Sequence, residues 1–347
     1  MTKHFELEEY PMPRLTFGYL FDFRNPQQWH RDWHELYEET VALAAWTEQA
    51  GFDAAWVPEH HLASDSYVTS PMILLAAIAA RTSRIRLGSA ISLAPLYHPL
   101  RFAEDCVALD ALSGGRLEMA LAIGYRRREY EAFGIDFTRR GAIFDEFLDV
   151  ATRLWAGETV DFAGKHFTLK GAKLMPPAPR GRIPLHIGGF APKALERVAK
   201  YADGYFGDVG AVAPYVEKLK EAGKDPASAR ALATCLFMVV AEDKTAAMDE
   251  LAPYYHHVNN TYAGFMAEDK AIGMDDAALA AMDLDAFKSS GILEIMTPDE
   301  AIARFKAMQA KTPALEHLMF MRPPGLPVER FKYYAGLVAD KVMPAFG

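Results

Sequence analysis

Cysteine is almost missing from this chain: Cys106 and Cys235 are its only two among 347 residues. Two thiols so far apart exclude a disulfide framework and a cysteine metal cluster, as suits a reducing compartment. Positive charge is also scarce. Lys and Arg number 37 against 46 Asp and Glu, a net charge of −9 with no long basic tail, which argues against a nucleic-acid binder. No apolar run approaches the ~18 residues of a membrane span, and the opening MTKHFELEEYPMPR has no apolar signal core. These absences predict a cytoplasmic enzyme that works on neither nucleic acid nor membrane. What the chain does have is apolar mass: 51% of it is hydrophobic, enough to bury a large core as one big domain or two ordinary ones.

Strand-length apolar runs alternate with longer helical patterns from about residue 15 onward, as expected of a parallel sheet covered by helices. Leu15 to Phe21, Ala54 to Val57, Ile85 to Leu93 and Leu117 to Ile123 read as four strands. Leu185 to Ile187, Gly204 to Phe206, Leu232 to Val240 and His317 to Met321 read as four more. The helices carry their own punctuation: Gly51 closes Glu35 to Ala50, Ser70-Pro71 reads as an N-cap with proline at the first helical position, and Ser113-Gly114-Gly115 stops Pro99 to Leu112. Gly141 to Trp155, Pro192 to Tyr201, Val212 to Ala222 and Val328 to Val342 are further helices, and Thr297 with Glu300 has capping-box spacing. Eight βα units predict an α/β fold, a (β/α)8 TIM barrel spanning 1–347 as one domain; such a barrel takes ~250 residues and leaves roughly 100 for insertions. Two are expected, at 159–184 with hairpin character around Gly164, and at 253–290, helical and rich in Met and Ala. A doubly wound sheet with two subdomains is the structural alternative.

On the barrel reading, the chemistry belongs at the C-terminal strand ends. Glu59-His60-His61 follows the second strand directly. Adjacent histidines there point to opposite sides, and neither H-x-H nor H-E-x-x-H spacing occurs, so no metal is expected. Either the two form a catalytic pair, or one lies in the pocket while a carboxylate satisfies the other in the wall; a pocket histidine would serve as general acid or base. Gly188-Gly189-Phe190 leads into a helix whose first N–H groups lack partners, so it is either a tight turn or a phosphate seat. Arg126, Arg127 and Arg128 could neutralise a phosphate or form a solvated face, with Glu129 as their salt partner. Phe21, Phe23, Trp29 and Trp33 either line an apolar pocket or cover the barrel mouth.

At GFDAAWVPEHH (51–61), at TSRIRLGSAISLAPLYHPLRFAEDCVALDALSGGRLEMALAIGY (82–125), at FGIDF, at IPLHIGGFAPKALERVAKYADGYF (183–206), at TPDEAIARF and at VMPAF, the chain resembles the bacterial luciferase-like flavin monooxygenases over nearly its full length. The resemblance implies a barrel that binds reduced FMN delivered by a separate flavin reductase, and uses the flavin hydroperoxide formed with O2 to oxygenate a small organic substrate. It also implies a homodimer. His60 then corresponds to the family's catalytic histidine, supported by Glu59 and His61, and the cofactor lies along Ser89, Ala90, Ile123, Gly124, Tyr125 and Arg126, with its phosphate on Gly188, Gly189 and Phe190. Ser89-Ala90 falls where the family commonly has a non-prolyl cis peptide. The chain departs from luciferase at Ala122 and Ile123, where a cysteine and an arginine would stand, and at Phe190 and Ala191, where a glutamate and a serine would stand. Light emission and aldehyde specificity are therefore not implied, and Arg126 becomes the expected counter-charge of the phosphate. The rivals are a deazaflavin-dependent oxidoreductase on the same fold and a metal-dependent barrel hydrolase.

Overall fold

The computed structural model describes residues 13–268 and 280–347, so the stretch 269–279 of the expected helical insertion lies outside the described residues. In chain order the elements are β1 (Thr16–Leu20), α1 (Trp33–Gln49), β2 (Ala54–Val57), α2 (Pro71–Arg81), β3 (Arg86–Leu93), α3 (Pro99–Leu112), β4 (Leu117–Ala122), α4 (Arg127–Ala132) and α5 (Arg140–Trp155). A hairpin of β5 (Val160–Ala163) and β6 (Thr168–Ala172) follows, then β7 (Leu185–Gly188), α6 (Pro192–Tyr201), β8 (Gly204–Gly207), α7 (Val212–Glu221), β9 (Ala231–Thr234) and β10 (Met238–Val240). The chain continues through α8 (Lys244–Glu268), α9 (Leu284–Ser289), β11 (Glu294–Met296), α10 (Pro298–Lys311), β12 (Leu315–Met321) and α11 (Val328–Leu337). Eight of the strands, all parallel, close into a barrel in the order β1-β12-β9-β8-β7-β4-β3-β2. The TIM-barrel expectation is correct.

Local signals explain most boundaries. Gly51 adopts φ 95° just past α1, the left-handed turn that glycine allows without a Cβ clash. Thr297 and Glu300 complete the capping box, with Glu300 N–H donating to Thr297 Oγ1 at 3.3 Å and Thr297 N–H to Glu300 Oε2 at 2.8 Å. Ser70 departs from expectation: it precedes Pro71 at the head of α2, but its side chain makes no capping bond. The seventh strand also needs correction. Leu232 to Val240 is not one strand, because Cys235 N–H pairs with Met319 O and Met238 N–H then turns back onto Cys235 O. Beyond that turn β10 leaves the barrel and pairs with β11 instead.

The barrel interior is filled rather than hollow. Trp56 on β2 is fully buried and lies over Gly88 on β3, where an added Cβ would stand 2.1 Å from the indole. Below it, toward the N-terminal strand ends, polar side chains from five strands meet. Trp56 Nε1–H donates to His317 Nε2 at 2.9 Å, which leaves the His317 proton on Nδ1 facing Thr16 Oγ1 at 2.8 Å. Burial holds His317 well below its usual pKa, consistent with a neutral ring. Glu118 receives Arg86 at 2.8 Å and His186 at 2.5 Å. The opposite end carries the loops after β1, β2 and β4, with α8 laid across them.

Candidate active site

The loop after β2 turns its two histidines apart, and each meets its own carboxylate. His60 Nδ1 lies 2.9 Å from Glu129 Oε1, and His61 Nε2 lies 3.0 Å from Glu59 Oε1. Glu59 also accepts from Leu93 N–H at 2.8 Å and from the Tyr97 hydroxyl at 2.7 Å, so the Glu59–His61 pair ties the loop to the end of β3. Glu129 accepts from His61 N–H at 2.9 Å and faces Arg126 Nη1 at 3.2 Å. Burial opposes its ionisation, but His60, the His61 N–H and Arg126 prevail and hold the carboxyl below the usual range. An ionised carboxylate can only accept, so His60 donates from Nδ1 and keeps Nε2 for another partner. Around the ring stand Tyr67 at 4.8 Å, Phe265 at 5.4 Å, Tyr125 at 5.6 Å and Tyr262 at 6.3 Å between centroids.

Tyr262 and Phe265 belong to α8, and residues three to five apart on that helix reach the mouth together. His257 and Thr261 meet Arg24 of the β1 loop, whose Nη2 donates to Thr261 Oγ1 at 2.8 Å. Arg24 also holds Asp65 through Nε at 2.7 Å and Nη2 at 2.5 Å, although its side chain is fully buried. His257 Nε2 lies 2.9 Å from Asp65 Oδ2, and the Tyr67 and Tyr262 hydroxyls are 2.6 Å apart. At the far end Glu268 meets Arg126 Nη2 at 3.0 Å. Trp29 packs on Tyr254 of α8 at 4.6 Å, so this aromatic covers the mouth, whereas Phe21 and Phe23 are buried in the core and Trp33 is 44% exposed.

The rim over β3, β4 and β7 is more open. Ala90, Ile91, Ala122, Ile123, Gly124, Tyr125 and Gly189 are all part-exposed, and Phe190 is exposed. A Cβ on Gly188 would stand 2.4 Å from Ile91 Cδ1, which places the β7 turn against β3; a Cβ on Gly124 would stand 3.0 Å from Leu93 Cδ2. Ser89 does not face this rim: its hydroxyl is buried and donates to Ala120 O at 2.9 Å. The cis peptide is Ala90–Ile91, one bond later than the resemblance implies, at the point where the β3–β4 register shifts between Ala90 and Ser92. Arg126 does not reach toward Gly188 either. It is 1% exposed, with Nη1 on His61 O at 2.6 Å and beside Glu129, Nη2 on Glu268, and its guanidinium 3.7 Å above the Phe265 ring.

Sequence reasoning thus pointed to His60, which the fold sets at the mouth, but assigned no role to Arg24, Asp65, Tyr67 or the α8 face. The one available signal was the spacing of His257, Thr261 and Phe265, four residues apart on a single helical face. Among the described residues no group of three His, Cys, Asp or Glu is arranged to hold a metal, and no helix is long and apolar enough to cross a membrane.

Comparison with known proteins gives a consistent picture. The profile of the luciferase-like monooxygenases matches residues 15–313. Limonene 1,2-monooxygenase of Rhodococcus erythropolis is 26% identical over 337 residues, 92% of this chain and 84% of that protein. The oxygenase component of flavin-dependent trigonelline monooxygenase from Acinetobacter baylyi is 31% identical over 126 residues, which span 36% of this chain and only 35% of that protein. Among solved structures, monooxygenase RslO1 from Streptomyces bottropensis superposes with a TM-score of 0.81 at 22% identity, covering 96% of this chain and 100% of that one. The oxygenating constituent of 3,6-diketocamphane monooxygenase from Pseudomonas putida, in complex with FMN, gives 0.75 at 18% identity over 95% and 98%. An F420-dependent secondary alcohol dehydrogenase gives 0.73 at 20% identity over 96% and 99%. At such identities the structural likeness speaks for the fold alone.

Proposed function

The chain belongs to the luciferase-like monooxygenase family, and on that premise we propose that it is the oxygenase of a two-component system, taking reduced FMN from a separate flavin reductase and using O2 to oxygenate a small organic substrate. One observation carries the reading: a buried histidine, fixed by a carboxylate and caged by aromatic rings, stands at the C-terminal barrel face beside a glycine-lined rim. The residues present fit the cofactor. The Gly188-Gly189-Phe190 turn has glycine at two of its three positions and leads into α6, whose head receives no side-chain cap, a suitable seat for a phosphate. Ala90, Ile91, Ile123, Gly124 and Tyr125 offer a part-exposed, largely apolar bed for a ring system. The phosphate is assigned to main-chain donors, because the Arg126 guanidinium is taken up by Glu129, Glu268 and His61 O.

Reduced FMN, when bound, supplies the activation of O2; the protein supplies the surroundings. Glu129 holds His60 in the Nδ1–H tautomer, so Nε2 is free to take or give a proton at the reacting group, a role worth ~10²–10⁴ in rate. Glu59 and His61 act one step back, anchoring the loop to Leu93 and Tyr97. The α8 face, with Tyr262 and Phe265 against His60, keeps water from the ring. The oxygenase-component name of the trigonelline enzyme and the FMN in the diketocamphane enzyme support a flavin supplied by a partner. Homodimeric assembly and a cytoplasmic location complete the proposal. Anaerobic calorimetry with reduced FMN, oxidised FMN and the reduced deazaflavin tests it, followed by oxygen uptake on a substrate panel. Reduced FMN is expected to bind most tightly; equal affinity for the two FMN forms, or tighter deazaflavin binding, overturns the reading.

A further inference from the structure

The carboxylate that holds His60 is shared. Glu129 Oε1 accepts from His60 Nδ1–H and from His61 N–H, each at 2.9 Å, and also faces Arg126 Nη1 at 3.2 Å. Because His60 and Arg126 meet one oxygen, their two nitrogens are no more than about 6 Å apart, the sum of the two distances. All three side chains are buried, so the charges among them are screened far less than at a surface. A guanidinium stays charged in a protein, which makes Arg126 a fixed positive charge beside the pair. A carboxylate favours proton uptake by the imidazole it meets, because it stabilises the imidazolium; a cation on the same carboxylate opposes that uptake.

The remaining neighbours of His60 leave this balance to Arg126. Burial raises the hydroxyls of Tyr67, Tyr125 and Tyr262 above their usual range and keeps them neutral, and Phe265 is apolar. On the same loop His61 is paired with Glu59, and Arg24, one ring farther out over Tyr67 at 5.0 Å, is offset by Asp65 and Asp22. Arg126 is fixed in place by His61 O at 2.6 Å and by the Phe265 ring 3.7 Å beneath it, but its outer counter-charge is open to water. That counter-charge is Glu268 at the end of α8, 44% exposed, 3.0 Å from Arg126 Nη2 and 3.9 Å from Arg128 Nη1. We propose that Arg126 is a positioning residue that sets how strongly the Glu129–His60 pair holds its proton, and that Glu268 tempers this from the solvent side. Arg126 weakens the hold and so keeps His60 Nε2 open to a proton from the reacting group; Glu268 acts through Arg126 in the opposite sense. The use of this in catalysis rests on the oxygenase reading above; the electrostatic coupling does not.

An NMR titration of the full chain with labelled histidines, without flavin, reads the pair directly, and His60→Gln identifies the His60 signal by its loss. The midpoint belongs to the pair rather than to either group. Arg126→Met, similar in length but uncharged, is expected to move the midpoint up by about one pH unit, the effect of one cation within about 6 Å at an intermediate dielectric. Arg126→Lys restores the charge without the planar fork and should bring the midpoint back to within about half a unit of the parent. Glu268→Gln should move it down by about 0.3 unit, a small step because that carboxylate is part-exposed and screened. Opposite signs for Arg126→Met and Glu268→Gln are not what a merely structural disturbance produces. Three results overturn the proposal: parent and Arg126→Met titrating together, Arg126→Lys following Arg126→Met, or Glu268→Gln moving the midpoint up or not at all. The third decides the matter even where the Arg126 variants fail to fold. The pH profile of turnover separates this from the oxygenase reading, since midpoints that shift by NMR but not in turnover leave the coupling standing and remove His60 from the chemistry.

Discussion

The barrel buries charge at both ends but treats it differently. At the floor, Thr16, Arg86, Glu118, His186 and His317 satisfy one another across the strands, and only His186 Nδ1 lacks a partner. At the mouth, Asp22 Oδ2, Arg24 Nη1, Asp65 Oδ1, Tyr125 OH, Arg126 Nε and Glu129 Oε2 all lack hydrogen-bond partners among the described residues, Asp22 Oδ2 and Arg24 Nη1 facing each other at 3.8 Å. Glu118 at the floor and Asp22 at the mouth respond in opposite directions, while Glu129 and Asp65 at the mouth are held down as Glu118 is. Burial works against ionising Glu118, yet His186 and Arg86 win and hold it below the usual range; at Asp22 burial wins over Arg24 and pushes the carboxyl up to about 6. Backbone geometry agrees, since Phe23, Leu62 and Ser66, the described non-glycine residues with left-handed φ, all lie in the β1 and β2 loops of the mouth. One end is closed upon itself; the other keeps hydrogen-bonding capacity in reserve, as a ligand site must.

The sharpest way to break the comparison is at the floor. Glu118→Ala leaves buried His186 and part-exposed Arg86 without their carboxylate and is expected to cost about 3 kcal/mol, the low end for removing one partner of a buried ion pair. Urea unfolding measures it. A loss below about 1 kcal/mol would mean that the floor network is not the stabilising element described.

Asp22→Asn should act in the opposite sense. A carboxyl raised in the fold from 3.8 to about 6 contributes stability that is fully present below its unfolded pKa and lost as the pH rises through the folded one. Asparagine cannot ionise, so the variant should gain on the parent between about pH 4 and 6 and stay ahead above that by about 3 kcal/mol. Stability curves of the two proteins that run parallel across this window would contradict an Asp22 whose burial outweighs its pairing with Arg24.

His60→Ala tests function at the mouth, where Glu129 loses one donor but keeps the His61 N–H and Arg126. Flavin affinity should hardly change, while turnover falls about 10²-fold or more, the share of a positioned acid or base. His61→Ala should act through loop order instead, because its ring is bound to Glu59. Single-turnover oxidation of bound substrate separates the two; unchanged turnover in His60→Ala would remove its catalytic role.

How much of this was legible in the sequence follows the range of the interactions. The barrel rests on period, glycine stops and caps, all local, and it could be read. The break inside Leu232 to Val240 could not, since the turn at Cys235 to Met238 contains neither glycine nor proline and the partner of β10 is β11, more than fifty residues on. In the site, His60 was visible because Glu59-His60-His61 follows a strand directly. Arg24 and Asp65 were not singled out, because each is an ordinary loop residue until the fold brings them within 2.7 Å. The α8 face escaped because it mixes imidazole, hydroxyl and aromatic groups, so no apolar stripe marks it as buried. Ser89 and Arg126 show the converse limit: a motif gave their positions, but strand pairing and neighbouring carboxylates decided where their polar atoms point.

The finest test concerns the open rim. Gly189 has φ 120°, a conformation in which a β-branched residue is strained, and a Cβ there would stand 2.9 Å from the Ala194 Cβ on α6. Gly189→Val must therefore shift the turn away from the head of α6, and the N–H groups that would face a phosphate shift with it. The floor and the His60 cage are untouched, so the effect should be confined to whatever the turn holds. If that is the phosphate, affinity for reduced FMN should fall about tenfold while affinity for reduced riboflavin, which lacks the phosphate, stays within about twofold. Arg126→Ala provides the contrast, because a guanidinium engaged by Glu129, Glu268 and a carbonyl should not discriminate between the two flavins. Equal losses for FMN and riboflavin in Gly189→Val, or a loss specific to FMN in Arg126→Ala, would move the phosphate from the β7 turn to the arginine side of the mouth.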